Sequence, residues 1–336
     1  MKKLRQQPIS RSQPSKKPRV IELFSGAGLF GCAFRLEGFE LSAAYELDSV
    51  AAATYARNLG PTVKVADLSK TAPEGKADLI IAGPPCQGYS SIGRRRKDDP
   101  RNALALVIPD WAFKTGARMV VIENVAPFLK SPAWATIRDR FEKARYETFT
   151  WVLNAADMGA PQRRVRSFTV FSRIGRPPLE KYMRPERLTV RDAFAGLPRY
   201  PCKALQHFSL PRTEFALERI RMIPEGGDIR DIARQAPHLV PPSWFRTSGK
   251  IIDIWGRMRW DSVSPTIRTG FLNPSRGRFL HPSADRPVTF REAARLQMVP
   301  DEYHFEGSAE QIARQIGNGV TIGLGRAMAQ AVQQVL

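Results

Sequence analysis

One cysteine in this chain follows a pair of prolines, at a position where its thiol could act as a nucleophile. Cys86 stands in the segment Gly83-Pro84-Pro85-Cys86-Gln87, directly after the apolar residues 77–82, which predict a buried strand. Two prolines cannot continue a strand or a helix, so the thiol would be held on a stiff loop at the carboxyl end of that strand. Open α/β sheets bind their ligands at this edge. A cysteine presented in this way suits nucleophilic attack better than core packing.

A carboxylate and two arginines follow near later predicted strands. Glu123 comes directly after an apolar run, so we expect it at the same edge of the sheet as Cys86. The Gln-Arg-Arg-Val-Arg segment at 162–166 leads into another predicted strand, where alternation would put Arg164 and Arg166 on one face. Without the cysteine, a solvated arginine cluster or a phosphate contact would be the simpler interpretation.

A glycine-rich turn near the start of the chain could bind a nucleoside-containing cofactor. Gly26-x-Gly28-x-x-Gly31 lies between a predicted strand and a predicted helix, and Glu46 ends the next strand, which is the spacing of a dinucleotide fingerprint. Glycines let a ligand approach the backbone, and the carboxylate could accept hydrogen bonds from ribose hydroxyls. Asp67, at the end of the third predicted strand, could accept from an adenine amino group. The glycines alone do not distinguish NAD from S-adenosylmethionine, or either from a tight turn without a ligand.

Composition limits the classes of function. The chain has 336 residues, 43% of them hydrophobic, which suits one large domain plus a smaller one. Its formal net charge of +20 indicates a polyanionic partner, most simply nucleic acid. No apolar stretch or signal-peptide pattern predicts a membrane segment, so we expect a cytoplasmic, nucleoid-associated protein with no membrane partner. The three cysteines and four histidines lack ligand spacing, so we expect neither a disulfide framework nor a metal site.

The elements that must position these residues alternate between strands and helices. This order predicts an α/β fold with a doubly wound, mostly parallel, Rossmann-like sheet. We expect strands at 20–24, 41–45, 63–67, 79–82, 119–122, 148–154 and 167–171, and helices at 49–58, 102–114 and 133–143. Capping boxes at Thr289 and Ser308 predict two further helices near the C-terminus, in the part of the chain that completes the sheet domain.

Four segments are expected along the chain. Residues 1–19 are basic, contain no acid and predict a disordered tail, either a loose phosphate-binding arm or a solvated extension. Residues 20–172 form the main domain, and residues 287–336 form a C-terminal segment that completes it. Residues 173–286 are rich in Arg, Pro and Trp with little periodicity, and predict a second, smaller, irregular domain of loops and short strands.

Several short motifs occur in an informative order. They are Phe24-Ser25-Gly26-Ala27-Gly28, Gly83-Pro84-Pro85-Cys86-Gln87, Glu123-Asn124-Val125, Gln162-Arg163-Arg164-Val165-Arg166, Arg291-Glu292-Ala293-Ala294-Arg295-Leu296-Gln297 and Gly317-Asn318-Gly319-Val320. Together they resemble the DNA cytosine-5 methyltransferases of prokaryotic restriction-modification systems, over residues 20–172 and about 260–336. The resemblance implies an S-adenosylmethionine-dependent methyltransferase sheet, a target-recognition domain at 173–286, and methyl transfer to C5 of a cytosine flipped out of a specific duplex DNA site.

The resemblance also implies a role for each motif residue. Cys86 would add as a thiolate to C6 of cytosine, and Glu123 would bond N3 and the exocyclic amine with a raised pKa. Arg164 and Arg166 would orient O2 of the ring and offset its developing negative charge. Asn124 would brace the Pro-Cys loop. The expected S-adenosylmethionine contacts are Phe24, Ser25, Gly26, Ala27, Gly28, Glu46, Leu47, Asp67, Leu68, Pro84, Leu104, Asn318 and Val320. The expected DNA contacts are Gln87, Ser90, Arg94, Arg95, Arg96, Gln162 and Arg163.

Other readings leave more of the chain unexplained. A tRNA cytosine-5 methyltransferase of the same fold is the nearest alternative, and the full-sized recognition segment favours DNA. An NAD-dependent oxidoreductase or an amino-group DNA methyltransferase would leave Cys86 without a role, and a non-enzymatic DNA-binding protein would have no need of Cys86, Glu123 and the two arginines. Val165 stands where many relatives carry Glu. We expect a monomer that binds double-stranded DNA and is paired in function with a cognate restriction endonuclease.

Overall fold

A seven-stranded sheet forms the centre of the molecule, in the order β3-β2-β1-β4-β5-β7-β6. The computed structural model describes residues 17–85, 100–184, 186–241 and 254–336. The strands are β1 (Arg19–Leu23), β2 (Glu40–Glu46), β3 (Val63–Val65), β4 (Leu79–Ala82), β5 (Met119–Asn124), β6 (Glu147–Asn154) and β7 (Val165–Ser172). β7 pairs antiparallel with β5 and β6, and the other neighbouring strands pair in parallel. The predicted α/β class with a mostly parallel sheet is confirmed.

Helices cover both faces of this sheet, which explains why its central strands β1, β4 and β5 are mostly apolar. The α-helices that come before β6 in the described residues are α1 (Leu29–Leu36), α2 (Ser49–Leu59), α3 (Ile108–Thr115) and α4 (Pro132–Lys143). Phe30 and Phe34 of α1 pack against one face of the sheet, and Trp111 of α3 and Phe141 of α4 pack against the other. The core therefore lies in two layers, and the strand ends are left to form the site.

The predicted helix at 102–114 is divided in the structure. A 3-10 helix spans Pro100–Val107, and α3 then begins at Ile108 with Pro109 in its first turn. Proline has no backbone N–H and its ring clashes with the preceding helical turn, so it fits the start of a helix and not its interior. Pro109 therefore sets the beginning of α3, which the apolar pattern alone did not reveal.

The segment 173–286 contains short helices where short strands were expected. They are α5 (Val190–Phe194), α6 (Glu214–Arg221) and α7 (Ile229–Gln235), and the described β pairing here consists of isolated bridges. Capping boxes begin two of the helices, at Thr189 with Asp192 and at Asp228 with Asp231. These boxes satisfy backbone N–H groups that have no partner within the first turn of a helix, and the sequence analysis missed them.

The C-terminal segment returns to the sheet as three helices, α8 (Phe290–Leu296), α9 (Ala309–Asn318) and α10 (Ile322–Gln333). Both predicted capping boxes are present, at Thr289 with Glu292 and at Ser308 with Gln311. Apolar residues of α10 join α1 in the core on one face of the sheet. The end of α9 thereby reaches the carboxyl edge of the strands. Within the described ranges, no helix is long and apolar enough to cross a membrane.

Candidate active site

A cavity of about 470 Å³ opens at the carboxyl ends of β1, β2, β4 and β5. Parallel strands end at one edge of a sheet, so residues far apart in sequence meet there. The cavity is lined by the turn after β1, by the end of β2, by the Gly-Pro-Pro segment after β4, by Glu123 and Asn124 of β5, and by residues 314–315 and 317–320. Every predicted cofactor residue except Gly28 lies on its wall.

The glycine turn combines one open glycine with one packed glycine. Gly26 has a φ of +54° and a Cβ there would meet nothing within 4 Å. Its N–H donates to Glu46 Oε2 at 2.7 Å. Gly28 has a φ of +83°, and a Cβ there would lie 2.6 Å from Tyr55 Cδ2 and 2.7 Å from Leu59 Cδ1. Gly26 therefore leaves room for a ligand, whereas Gly28 allows α2 to pack closely against the turn.

The walls suit a nucleoside cofactor that carries hydroxyl groups. Leu68, Pro84 and Leu104 supply apolar surface, and the carboxylate of Asp67 is held ionised because hydrogen bonds from Ser69 lower its pKa. The buried Ser25 hydroxyl has no hydrogen-bond partner among the described residues, so it is available to a bound molecule. The set provides acceptors for ribose hydroxyls, apolar surface for a base and a polar group near the glycine turn, which fits S-adenosylmethionine.

The buried Glu123 forms an ion pair with the half-buried Arg166 inside the same cavity. Arg166 Nε lies 3.0 Å from Glu123 Oε1, and Glu123 is only 8% exposed. Burial raises the pKa of the Glu123 carboxyl, and the positive charges of Arg166 and Arg164 oppose that rise. A carboxyl in this setting can keep or release a proton beside a substrate atom, which is what an acid-base role requires.

Arg164 lines the same cavity as Arg166, in agreement with the alternation that placed both on one face, and its guanidinium donates hydrogen bonds to the backbone. It is 2% exposed, whereas Arg163 and Val165 are exposed. Its Nη1 donates to the carbonyl of Ile267 and its Nη2 donates to the carbonyls of Gly317 and Gly319, each at 3.0 Å. These three acceptors belong to the protein's own backbone, and the predicted contact of Arg164 with the base stays a prediction.

Gln162 is likewise placed inside the protein. Its side chain is 0% exposed. Its Nε2 donates to the Leu296 carbonyl and to Gln297 Oε1, and its Oε1 accepts from the Ile267 N–H. This enclosed position differs from the predicted DNA contact, because the side chain is buried and both polar atoms of its amide bind protein partners. Arg163, the other DNA contact predicted in this segment, is exposed.

The predicted nucleophile lies at the edge of what the structure describes. Cys86 and the predicted DNA contacts Gln87, Ser90, Arg94, Arg95 and Arg96 are outside the described residues. Pro85, the residue before Cys86, lines the cavity. Asn124 Nδ2 donates to the Pro84 carbonyl at 3.2 Å, which confirms the predicted brace on this loop.

A second buried carboxyl was missed by the sequence analysis. Glu22 lines the cavity, is 1% exposed, and its Oε1 accepts from the Gly31 N–H at 3.0 Å. Burial, with a further contribution from the charge of Glu46, raises the pKa of Glu22 to about 8. The available signal was an acid within the apolar Val-Ile-Glu-Leu-Phe strand, where a charged residue needs a specific reason.

The doubly wound sheet and its cavity define an α/β enzyme that binds a nucleoside cofactor at its strand ends. The profile of the family described as C-5 cytosine-specific DNA methylase matches residues 18–334. The type II methyltransferase M1.HphI of Haemophilus parahaemolyticus is 33% identical, with 93% of this chain and 86% of that protein covered. M.AgeI of Thalassovita gelatinovora, also a type II methyltransferase, is 28% identical, with 94% and 99% covered.

Solved structures share the fold. A crystal structure described as a DNA modification methyltransferase encoded within a prophage of E. coli superposes with a TM-score of 0.74 at 23% identity, over 95% of this chain and 99% of that one. The S. pombe Dnmt2 methyltransferase superposes with a TM-score of 0.59 at 18% identity, over 96% and 98%. With the family match over residues 18–334, these findings establish that the chain belongs to the C-5 cytosine-specific DNA methylase family. It is a DNA cytosine-5 methyltransferase that uses S-adenosylmethionine, as the resemblance implied.

Proposed function

We propose that this protein is the modification enzyme of a restriction-modification system and methylates one cytosine of a specific duplex DNA sequence through a covalent Cys86 adduct. The observation that carries this proposal is the ion pair of the buried Glu123 with Arg166, which shares its cavity with Pro84 and Pro85, the residues that lead to Cys86. Relatives that cover most of the chain are named type II methyltransferases, which supports the restriction-modification setting.

The proposed chemistry begins with attack by the Cys86 thiolate on C6 of the cytosine ring. The new C–S bond displaces the electrons of the C5–C6 double bond toward N3 and O2, and leaves C5 nucleophilic. Glu123 holds a proton at N3, a task that its burial and raised pKa favour. Arg166, paired with Glu123, stabilises negative charge that develops near O2. S-adenosylmethionine, when bound, supplies an electrophilic methyl group.

The reaction is completed by the loss of the C5 proton. The proton passes to solvent water, the electron pair of that C–H bond restores the C5–C6 double bond, and the C–S bond breaks to release the Cys86 thiolate. The proton held at N3 returns to Glu123. No oxidant or reductant is needed, and the enzyme returns to its starting state. A cytosine inside a duplex exposes neither face of its ring, so the base must leave the stack before Cys86 can reach C6.

DNA recognition is proposed to involve residues outside the cavity. The net charge of +20 suits binding to phosphates, and Arg163 is exposed beside the site. We assign the same role to the basic residues Arg94, Arg95 and Arg96, and sequence recognition to residues 173–286. One chain holds all the proposed site residues, so a monomer is expected to act on nucleoid DNA, with a cognate endonuclease as its functional partner.

The test is transfer of labelled methyl groups to unmethylated duplex DNA and to tRNA, followed by mapping of 5-methylcytosine at base resolution. We expect label at one recurring DNA motif with the wild type and none with Cys86→Ala. Cys202→Ala is the matched control, because Cys202 lies outside the cavity lining, and it should retain transfer. Label on tRNA alone would contradict the DNA proposal, and absence of label on both would contradict catalysis.

A further inference from the structure

We infer that Arg164 is a positioning residue for the cofactor pocket, holding residues 317–319 so that Asn318 faces the bound cofactor. The inference rests on the proposed function, because it takes the cavity to be the S-adenosylmethionine site. It assigns Arg164 to the protein backbone, while Arg166 remains the arginine next to the reacting base.

The hydrogen bonds of Arg164 surround Asn318 on both sides. One nitrogen, Nη2, donates to the carbonyl before Asn318, at Gly317, and to the carbonyl after it, at Gly319, both at 3.0 Å. Asn318 itself lines the cavity. A side chain that fixes the two flanking peptide groups also fixes the direction in which Asn318 leaves the backbone.

The glycines on either side of Asn318 pack closely against two other segments. A Cβ on Gly317 would lie 2.4 Å from the backbone nitrogen of Thr269, and a Cβ on Gly319 would lie 2.3 Å from Leu29 Cδ1. Close approach therefore requires glycine at both positions, at Gly317 to Thr269, which lies within residues 173–286, and at Gly319 to the start of α1. These contacts leave residues 317–319 little room to move while Arg164 is in place.

Arg164 also contacts Ile267, which lies two residues before Thr269. Its Nη1 donates to the Ile267 carbonyl, while Gln162 accepts from the Ile267 N–H at 2.8 Å. Gln297 extends the contacts by donating to the Ile316 carbonyl at 2.8 Å. Three backbone carbonyls in different directions match the planar fork of a guanidinium, which a lysine ammonium cannot reproduce with one compact charged group.

The experiment is calorimetric titration with S-adenosylhomocysteine, which binds without turnover, combined with steady-state kinetics. Arg164→Lys should raise the cofactor Kd and KM about tenfold or more, because buried carbonyls lose their donors. Gly317→Ala should raise the Kd in the same direction, since a Cβ would push residues 317–319 away from Thr269. In both variants, turnover at saturating cofactor should fall much less than affinity.

Two controls separate this role from general destabilisation and from action on the base. Arg257 is 4% exposed and also donates to several backbone carbonyls, but it lies outside the cavity lining, so Arg257→Lys should lower the melting temperature and leave the cofactor Kd within about twofold. Arg166→Lys should lower turnover while cofactor binding is kept.

The outcomes distinguish this inference from the proposed function. If the folded Arg164→Lys protein binds S-adenosylhomocysteine like the wild type and loses turnover instead, Arg164 acts on the base and the inference is wrong. If Arg257→Lys weakens cofactor binding as much as Arg164→Lys does, the effect is general destabilisation and the inference is also wrong. If the wild type itself does not bind the probe, the cavity is not the cofactor site and the proposed function fails first.

Discussion

Replacement of Glu22 by glutamine should remove a large part of the pH dependence of folding stability between about pH 5 and pH 8. The carboxyl is 1% exposed and belongs to the cavity wall. Burial raises its pKa from 4.5 to about 8, and the charge of Glu46 contributes in the same direction. The folded protein therefore keeps a proton on Glu22 over a pH range in which the unfolded chain has lost it.

The sign and size of the effect follow from this difference in pKa. Below about pH 4.5 both states hold the proton, and the contribution of Glu22 to stability is fully present. As pH rises from there to about 8, the unfolded state alone is ionised, and the free energy of unfolding falls by about 1.4 kcal/mol per pH unit. The total decrease in the free energy of unfolding is about 5 kcal/mol, as an order of magnitude. It follows from the difference between the pKa of 4.5 in the unfolded chain and the pKa of about 8 in the folded protein.

The assay is urea denaturation of the wild type and Glu22→Gln at several pH values between 5.5 and 8, without ligands. The informative quantity is the difference between the two free energies of unfolding, because groups that titrate in both proteins cancel. Glutamine retains an oxygen that can accept from the Gly31 N–H, so the variant changes ionisation more than packing. The wild type should lose stability relative to the variant as pH rises. A difference that stays constant over this range would refute the raised pKa.

Further predictions concern the site and its glycines. Glu123→Gln should lower single-turnover methyl transfer by about 100-fold or more at saturating cofactor and DNA, since the variant cannot donate a carboxylic proton; transfer near the wild-type rate would contradict its role. Gly28→Ala should lower stability by about 1–3 kcal/mol in urea denaturation, because its Cβ would lie 2.6 Å from Tyr55 Cδ2, and an unchanged midpoint would contradict this packing. Gly26→Ala should weaken cofactor binding in calorimetry more than Gly28→Ala does, because a Cβ at Gly26 would face the open cavity. Equal cofactor binding by the wild type and Gly26→Ala would show that the cofactor does not lie close to Gly26.

The sheet and its edge could be predicted because their signals are local. Apolar runs mark the strands, and parallel strands must end at one edge, so the sequence predicts Glu46 and Glu123 at that edge, and both line the cavity. The alternating exposure of Arg163, Arg164 and Val165 follows from the same local geometry.

The tertiary partners of polar side chains could not be predicted in this way. Gln162 belongs to a basic, polar run that is typical of a surface, yet its amide is enclosed by Leu296 and Gln297, which lie 134 and 135 residues later in the chain. The three carbonyls around Arg164 come from two further distant segments. A sequence pattern states which face a side chain takes, but a hydrogen-bond partner on another element depends on how those elements pack.

The most direct test of the central claim is to trap the covalent step on duplex DNA that carries 5-fluorocytosine at the mapped target site, with S-adenosylmethionine present. Fluorine cannot leave C5 as a proton does, so the adduct should persist under denaturing conditions. The account predicts a stable protein–DNA complex whose modified peptide contains Cys86, formed by the wild type and absent with Cys86→Ala. A complex that still forms with Cys86→Ala, or a modified peptide that carries Cys32 or Cys202 instead, would contradict it.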